Sequence, residues 1–333
     1  MKTVVLGSGG WGTALSQILC DNGHETYLWS HSPAKAAEMA RTRENPLLQG
    51  VHLPESLHIT GDLGCLRCAD LVVSAPPSFA VRETAKKMAP YLTEKTVVVS
   101  VSKGIERDTN LRLSQVIQEE TENICKVAVL SGPSHAEEVG IRLPTGCVAA
   151  CLDVDAARFV QDAFMNDYFR VYTSGDVVGV ELAAALKNVI ALSCGVCDGL
   201  GYQDNTKALL MTRAMAEITR LGEKLGGSRQ TFGGLAGMGD LIVTCTSMHS
   251  RNRRYGILIG QGKSVQDALE EIGAVVEGYY AAANARTLAQ KAGVEMPISQ
   301  AAYEVLYEGR DPKLVVTDLM GRAKRSELEE SWS

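Results

Sequence analysis

A chain of 333 residues that is 45% hydrophobic and 22% charged has the make-up of a globular protein with room for two domains. Its formal net charge of −6 at pH 7 argues against general binding to nucleic acid or to an anionic membrane. No uninterrupted apolar run approaches the roughly 18 residues of a membrane span, and the N-terminus enters a strand at once, so no membrane insertion and a cytoplasmic compartment are expected.

The first run, Thr3-Val4-Val5-Leu6, reads as a strand and leads into Gly7-Ser8-Gly9-Gly10-Trp11-Gly12. Helical apolar spacing follows from Thr13 to Leu19. Strand, glycine turn and helix in this order fit the G-x-G-x-x-G fingerprint of a dinucleotide site. Gly7 permits the tight turn, Gly9 lets the backbone approach a pyrophosphate, and Gly12 lets the helix pack on the strand. The helix N-terminus then offers free N–H groups and a positive dipole end to the phosphates.

Thr26 to Trp29 reads as the second strand. An NAD site usually has Asp or Glu at its end, to hold the ribose 2′-hydroxyl. Ser30-His31-Ser32 stands there instead, with Arg41 and Arg43 following, and Glu25 lies at the wrong end. Hydroxyl, imidazole and guanidinium groups suit an added phosphate better than a carboxylate would, so NADP(H) is the expected cofactor, with NAD(H) as the alternative.

Leu71 to Ala75, Thr96 to Val101 and Lys126 to Leu130 are further apolar runs, and Thr145 to Leu152 and Phe169 to Tyr172 would add strands at the far edge. Alternation of such runs with helical stretches marks an α/β fold with a Rossmann-type, mostly parallel sheet. Ligands gather beyond the carboxyl ends of such strands. Lys103, in Ser102-Lys103-Gly104, holds such a position, although it also suits a solvated loop. In Ser131-Gly132-Pro133-Ser134-His135-Ala136-Glu137, Ser134 and Glu137 have capping-box spacing, so a helix is expected to start at Ser134. It could serve an oxygen-rich ligand or be an ordinary cap, and His135 by itself suits a structural role.

After Asp176 the pattern becomes helical: Val177 to Cys197, Thr206 to Leu225, then shorter stretches at 251–259, 265–272, 279–291, 298–307 and 312–320. Residues 1–176 therefore read as a dinucleotide-binding Rossmann-like domain and 177–333 as an all-α substrate domain. Leu241 to Val243 is too short to count as a strand. Lys187 projects from an apolar helical face, with Ala183, Ile190, Ala191 and Cys194 as neighbours at helical spacing. Burial there would favour the neutral amine and bring its pKa toward a range useful for proton transfer, unless the side chain snorkels to the surface. With Lys103, it suggests conversion of a carbonyl to an alcohol, with hydride from nicotinamide and the proton from lysine. Asp240 and Thr244 precede Ser250, a natural N-cap for the helix opening at Arg251-Asn252, where a guanidinium can grip a phosphate unless it belongs to a basic solvated face. These segments together point to a small phosphorylated ketone.

Nine scattered cysteines suit reduced core thiols. Cys65/Cys68 and Cys194/Cys197 have C-x-x-C spacing, but packing is the default reading and no metal site is expected.

In this order, Gly7 to Gly12, Lys103-Gly104, Gly132-Pro133-Ser134, Leu186-Lys187-Asn188, Gly239-Asp240-Leu241 and Ser250-Arg251-Asn252-Arg253-Arg254 resemble the bacterial NAD(P)-dependent glycerol-3-phosphate dehydrogenases. The resemblance extends through Val276-Glu277-Gly278 and Val294-Glu295-Met296-Pro297. It implies reversible conversion of sn-glycerol 3-phosphate to dihydroxyacetone phosphate, supplying the phospholipid backbone. It also implies that Lys187 accepts the proton in alcohol oxidation and donates it in reverse, with Lys103 and Asp240 supporting the carbonyl and the lysine network, and Asn188 and Thr244 close by. The substrate contacts it implies are Lys103, Gly132, Ser134, Asp240, Ser250, Arg251 and Asn252. The cofactor contacts are Gly10, Trp11, His31, Lys103, Ala136, Arg251, Val275 and Glu277. Both cofactors occur in that family, and a homodimer is typical of it. The rival readings are a 3-hydroxyacid or 6-phosphogluconate type of dehydrogenase, and a non-catalytic NADPH sensor using its C-x-x-C thiols.

Overall fold

The computed structural model describes residues 1–324, 326 and 327; the end of the second expected domain, 325 and 328–333, lies outside the described residues. Eight strands form one sheet: β1 (Lys2–Leu6), β2 (Glu25–Trp29), β3 (His58–Thr60), β4 (Leu71–Ser74), β5 (Val97–Ser100), β6 (Lys126–Ser131), β7 (Thr145–Ala150) and β8 (Phe169–Ser174). Their order is β3-β2-β1-β4-β5-β6-β7-β8, parallel throughout except where β7 meets β6. The six strands from β3 to β6 have the doubly wound order, with its reversal between β1 and β4. The apolar runs are continuous because both faces are covered, and every residue of β4 and β5 is buried.

Six helices flank the sheet: α1 (Gly10–Asp21), α2 (Pro33–Thr42), α3 (Val81–Met88), α4 (Leu113–Glu120), α5 (Ala136–Gly140) and α6 (Val154–Phe164). Strand alternation sends Val5, Val73 and Val99 into a core with α1 and α6, and Val4, Val72 and Val98 into another with α3 and α4. Gly7, at φ +125°, closes the turn after β1; a Cβ there would lie 2.6 Å from the Ala75 carbonyl oxygen, across the switch point. A Cβ on Gly12 would lie 2.1 Å from the Gly7 carbonyl oxygen, so α1 can leave the turn only with glycine at this position.

The remaining helices are α7 (Val177–Gly199), α8 (Asp204–Lys224), α9 (Arg229–Gly233), α10 (Asp240–Thr246), α11 (Arg251–Gly260), α12 (Val265–Ile272), α13 (Glu277–Ala292), α14 (Pro297–Tyr307) and α15 (Pro312–Met320). One π-helical turn, Leu235–Gly239, leads into α10, so Leu241 to Val243 is helical. The α7 helix is apolar and long enough to cross a membrane, but it is a core helix: every residue from Gly179 to Leu192 is buried.

The closest packing is between α7 and α11, which run parallel. A Cβ on Gly195 would sit 2.0 Å from the Arg253 carbonyl oxygen, and one on Gly256 would sit 2.0 Å from that of Leu192. One turn further on, Gly199 and Gly260 repeat the arrangement at 2.3 Å from the carbonyl oxygens of Ile257 and Val196. Each helix thus carries small residues four apart, and the two backbones meet without an intervening layer of side chains. The buried Glu181 of α7 ties this half to α4, accepting from the Ser114 N–H at 2.8 Å and from Arg112 at 2.6 Å.

Gly256→Ala should therefore destabilise the protein by at least about 1–3 kcal/mol, read from the midpoint of urea unfolding. Gly233→Ala, whose added methyl meets nothing within 4 Å, should change stability by less than about 1 kcal/mol.

Candidate active site

The glycine turn and the start of α1 form an open seat. No side chain among the described residues caps this helix and its first turn holds no acidic residue, so neither occupies its N-terminal N–H groups. A Cβ on Gly9 would meet nothing within 4 Å, which leaves the space before the helix clear. Ala136 borders the seat, 3.5 Å from the position of a Cβ on Gly10. Trp11 packs against Phe169, and its buried indole N–H has no partner. These features fit a dinucleotide whose pyrophosphate sits on the turn. At the end of β2, His31 is exposed, Ser30 is buried and accepts from the Ser8 hydroxyl at 2.9 Å, and Ser32 caps α2. The two arginines expected near the ribose are engaged elsewhere. Arg41 pairs with Glu38 at 2.7 Å, and Arg43 turns to the Leu57 carbonyl at 2.8 Å and to Glu55.

Three elements bring the chemical groups together. Lys103 follows β5, Lys187 lies midway along α7, and Asp240 opens α10. The Asp240 carboxylate, 1% exposed, accepts from Lys187 through Oδ1 and from Lys103 through Oδ2, both at 2.7 Å. Lys187 also donates to the Thr244 hydroxyl, which itself donates to the Asp240 carbonyl at 2.6 Å. One of its three N–H bonds is left for a ligand. Burial pushes the Lys187 ammonium down to about 8; Asp240 opposes this and Lys103 adds to it. Burial alone would raise the Asp240 carboxyl, but the two ammonium groups outweigh it and hold the carboxyl below its usual range. Lys187 does not snorkel.

Lys103 reaches the Gly132 carbonyl at 3.0 Å and the Ser134 hydroxyl at 3.1 Å. Ser134 is therefore not a helix cap. Its hydroxyl donates to the Gly132 carbonyl at 2.9 Å, and α5 starts from His135 with no side-chain cap. The sequence spacing of a capping box is present, but the lysine competes for the serine oxygen. His135 lies 3.3 Å from the Val243 carbonyl oxygen and so braces this loop against α10.

At the other end, the Ser250 hydroxyl caps α11 by accepting from the Arg253 N–H at 3.2 Å. Arg253 is bound to Asp198 at 2.8 Å, whereas Arg251 is exposed and carries no hydrogen bond or ion pair among the described residues. Asn188 and Asn252 are buried and joined at 3.0 Å, and Asn252 accepts from the Gly278 N–H at 2.8 Å. Val275 lies just before α13, whose first residue, Glu277, accepts from the Ser78 hydroxyl at 2.7 Å. Burial raises the Glu277 carboxyl, with the hydrogen bonds from Ser78 opposing. Ser78 was not singled out in the sequence; its signal is its place after Pro76-Pro77 at the end of β4.

Among the described residues no cluster of three or more His, Cys, Asp or Glu could hold a metal ion. All nine cysteines are free. Burial pushes the Cys65 thiol up to about 11 and that of Cys197 to about 12, which makes both poor nucleophiles. Two clefts of about 360 and 370 Å³ lie elsewhere, and neither is lined by Lys103, Lys187 or Asp240.

A doubly wound sheet with a bare glycine turn, together with a buried lysine whose pKa is lowered to about 8, fits the class of nicotinamide-dependent dehydrogenases. Residues 2–157 match the family model of the NAD-dependent glycerol-3-phosphate dehydrogenase N-terminus, and residues 176–317 match that of the C-terminus. A glycerol-3-phosphate dehydrogenase [NAD(P)+] of Lysinibacillus sphaericus is 51% identical, with 99% of this chain and 98% of the relative covered. One from Pelotomaculum thermopropionicum is 52% identical, with 99% and 95% covered. The crystal structure of glycerol-3-phosphate dehydrogenase from Coxiella burnetii superposes with a TM-score of 0.91 at 35% identity, covering 96% of this chain and 98% of that one. The chain belongs to the NAD-dependent glycerol-3-phosphate dehydrogenase family, and it is an oxidoreductase that uses NAD or NADP.

With Lys187 as the expected proton donor, kcat/KM for carbonyl reduction should fall as pH rises through about 8, while that for alcohol oxidation, with the amine as acceptor, should rise through the same range. Asp240→Asn removes the anion that favours the ammonium, so both limbs should move to lower pH in initial-rate profiles. Limbs that stay in place would assign the titration to another group.

Proposed function

We propose that this chain interconverts dihydroxyacetone phosphate and sn-glycerol 3-phosphate, with NADP(H) preferred over NAD(H). The observation that carries the reading is the Asp240 carboxylate shared by Lys187 and Lys103 at 2.7 Å each. In reduction, the bound nicotinamide cofactor supplies hydride to the carbonyl carbon. Lys187 gives its proton to the carbonyl oxygen and becomes a neutral amine, which solvent later reprotonates. Lys103, fixed by Asp240, Gly132 and Ser134, polarises the same oxygen and keeps a positive charge beside the developing alkoxide. Thr244 and Asn188 orient the lysine and the substrate.

Arg251, with Ser250 and Asn252 at the N-terminus of α11, takes the substrate phosphate. Gly7, Gly9, Gly10, Trp11 and Gly12 would hold the cofactor, with His31, Lys103, Ala136, Arg251, Val275 and Glu277 as its further contacts. The preference for NADP(H) rests on Ser30-His31-Ser32 at the end of β2, where a carboxylate would favour NAD(H). The dinucleotide domain spans 1–176 and the substrate domain begins at 177. A homodimer, a cytoplasmic location and a role in supplying glycerophospholipid synthesis complete the reading, by resemblance to the family.

An NADPH-oxidation assay with dihydroxyacetone phosphate, run beside 3-ketoacids, tests this directly. Turnover of the phosphorylated ketone alone is expected, and turnover of the ketoacids alone would favour the 3-hydroxyacid type. Lys187→Ala should lose several orders of magnitude in kcat yet still bind NADPH. Near wild-type turnover in that variant would remove lysine from its role. Arg251→Ala should raise KM for dihydroxyacetone phosphate far more than it lowers kcat.

A further inference from the structure

We propose that Lys35 sets the cofactor preference by holding the 2′-phosphate of the adenosine ribose; this rests on the reading that NADP(H) is preferred. In a sheet of this order, the ribose lies beside the end of the second strand. Here β2 ends at Trp29, and the chain passes through Ser30, His31 and Ser32 into α2, where Lys35 stands in the first turn. Its ammonium points back over the glycine turn and donates to the Ser8 carbonyl at 3.4 Å. Asn45 donates to the same carbonyl at 3.0 Å, so this oxygen is satisfied without the lysine.

Lys35 is half-buried and has no carboxylate partner among the described residues. The first carboxylate in α2, Glu38, is engaged by Arg41. The two arginines that follow β2 are engaged elsewhere, Arg41 with Glu38 and Arg43 with the Leu57 carbonyl and Glu55, while the exposed His31 imidazole stays beside the end of β2. The Ser30 hydroxyl accepts from Ser8 and the Ser32 hydroxyl accepts from the Lys35 N–H, so both can only donate to a phosphate and neither carries a charge to balance it. Lys35 thus places a full cation beside the ribose position, held by a long bond to a neutral oxygen, with no carboxylate partner among the described residues. A phosphate dianion complements that cation, and a free 2′-hydroxyl does not.

Calorimetric titration of the full chain with NADPH, NADH, 2′,5′-ADP and 5′-AMP tests the assignment without turnover. Lys35→Ala should weaken NADPH and 2′,5′-ADP by about 10- to 100-fold, the loss of one charge-assisted contact. NADH and 5′-AMP should change by less than about threefold, a split that loss of a mere brace on the glycine turn would not give. Lys35→Arg should keep the preference, and Lys35→Glu should reverse it. Equal weakening of both cofactors in Lys35→Ala, or no weakening of either, overturns the role of Lys35. If wild type prefers NADPH and Lys35→Ala keeps the full preference, Lys35 fails while the cofactor reading stands. If wild type binds both cofactors alike, the cofactor reading fails and takes Lys35 with it.

Discussion

A buried carboxylate shared by two ammonium groups is the constraint on which this structure turns. Asp240 is inaccessible to water and would be costly to bury alone, as would Lys187. Together with the part-exposed Lys103, they form a chain with one net positive charge. Removing one member of such a buried set typically costs about 3–5 kcal/mol, because a charge is left without its partner. Its members come from the sheet and from two helices of the other half, so the chain is complete only when the halves are docked. Folding and catalytic competence are therefore linked through the same carboxylate.

The rest of the cleft is arranged around where charge is balanced and where it is not. Glu181 against Arg112, and Asp198 against Arg253, are closed pairs that hold elements together. Glu277 is satisfied mainly by Ser78 and spans the cleft between the β4 loop and α13. By contrast, the start of α1 has no acidic residue in its first turn and no capping side chain, and Arg251 makes no hydrogen bond or ion pair among the described residues. On the proposed reading, these open positive positions are where the phosphates of cofactor and substrate would supply the balancing anions. Lys187 is of another kind, with its charge only partly compensated and its proton correspondingly easy to give up.

Much of this could be read from the chain. The strands were legible because a parallel sheet covered on both faces demands unbroken apolar runs such as Val97 to Ser100. Lys187 was legible as a candidate because a lysine on an apolar helical face is either buried or snorkels to the surface, and here it is buried. Other features depended on directions that spacing does not encode. Ser134 had the pattern of a cap, but Lys103 arrives from a distant loop and takes its oxygen. Arg43 stood at a suitable distance along the chain, yet its backbone is left-handed at φ 56° and its side chain runs away from the ribose. The short edge strand β3 pairs only with β2 and has no apolar run to announce it.

The glycine contacts between α7 and α11 act as a ruler. Because Gly195 and Gly256 bring backbone against backbone, the two helices cannot slide past one another in small steps. The same register joins Asn188 to Asn252 and so sets Arg251 level with Lys187. A slip of one helical turn would displace that arginine by about 5.4 Å relative to the amine. The span between the proton-handling group and the free guanidinium is thus fixed by main-chain geometry. Altering the length of molecule that fits between them would require rebuilding a helix pair, not merely exchanging the side chains that line the cleft.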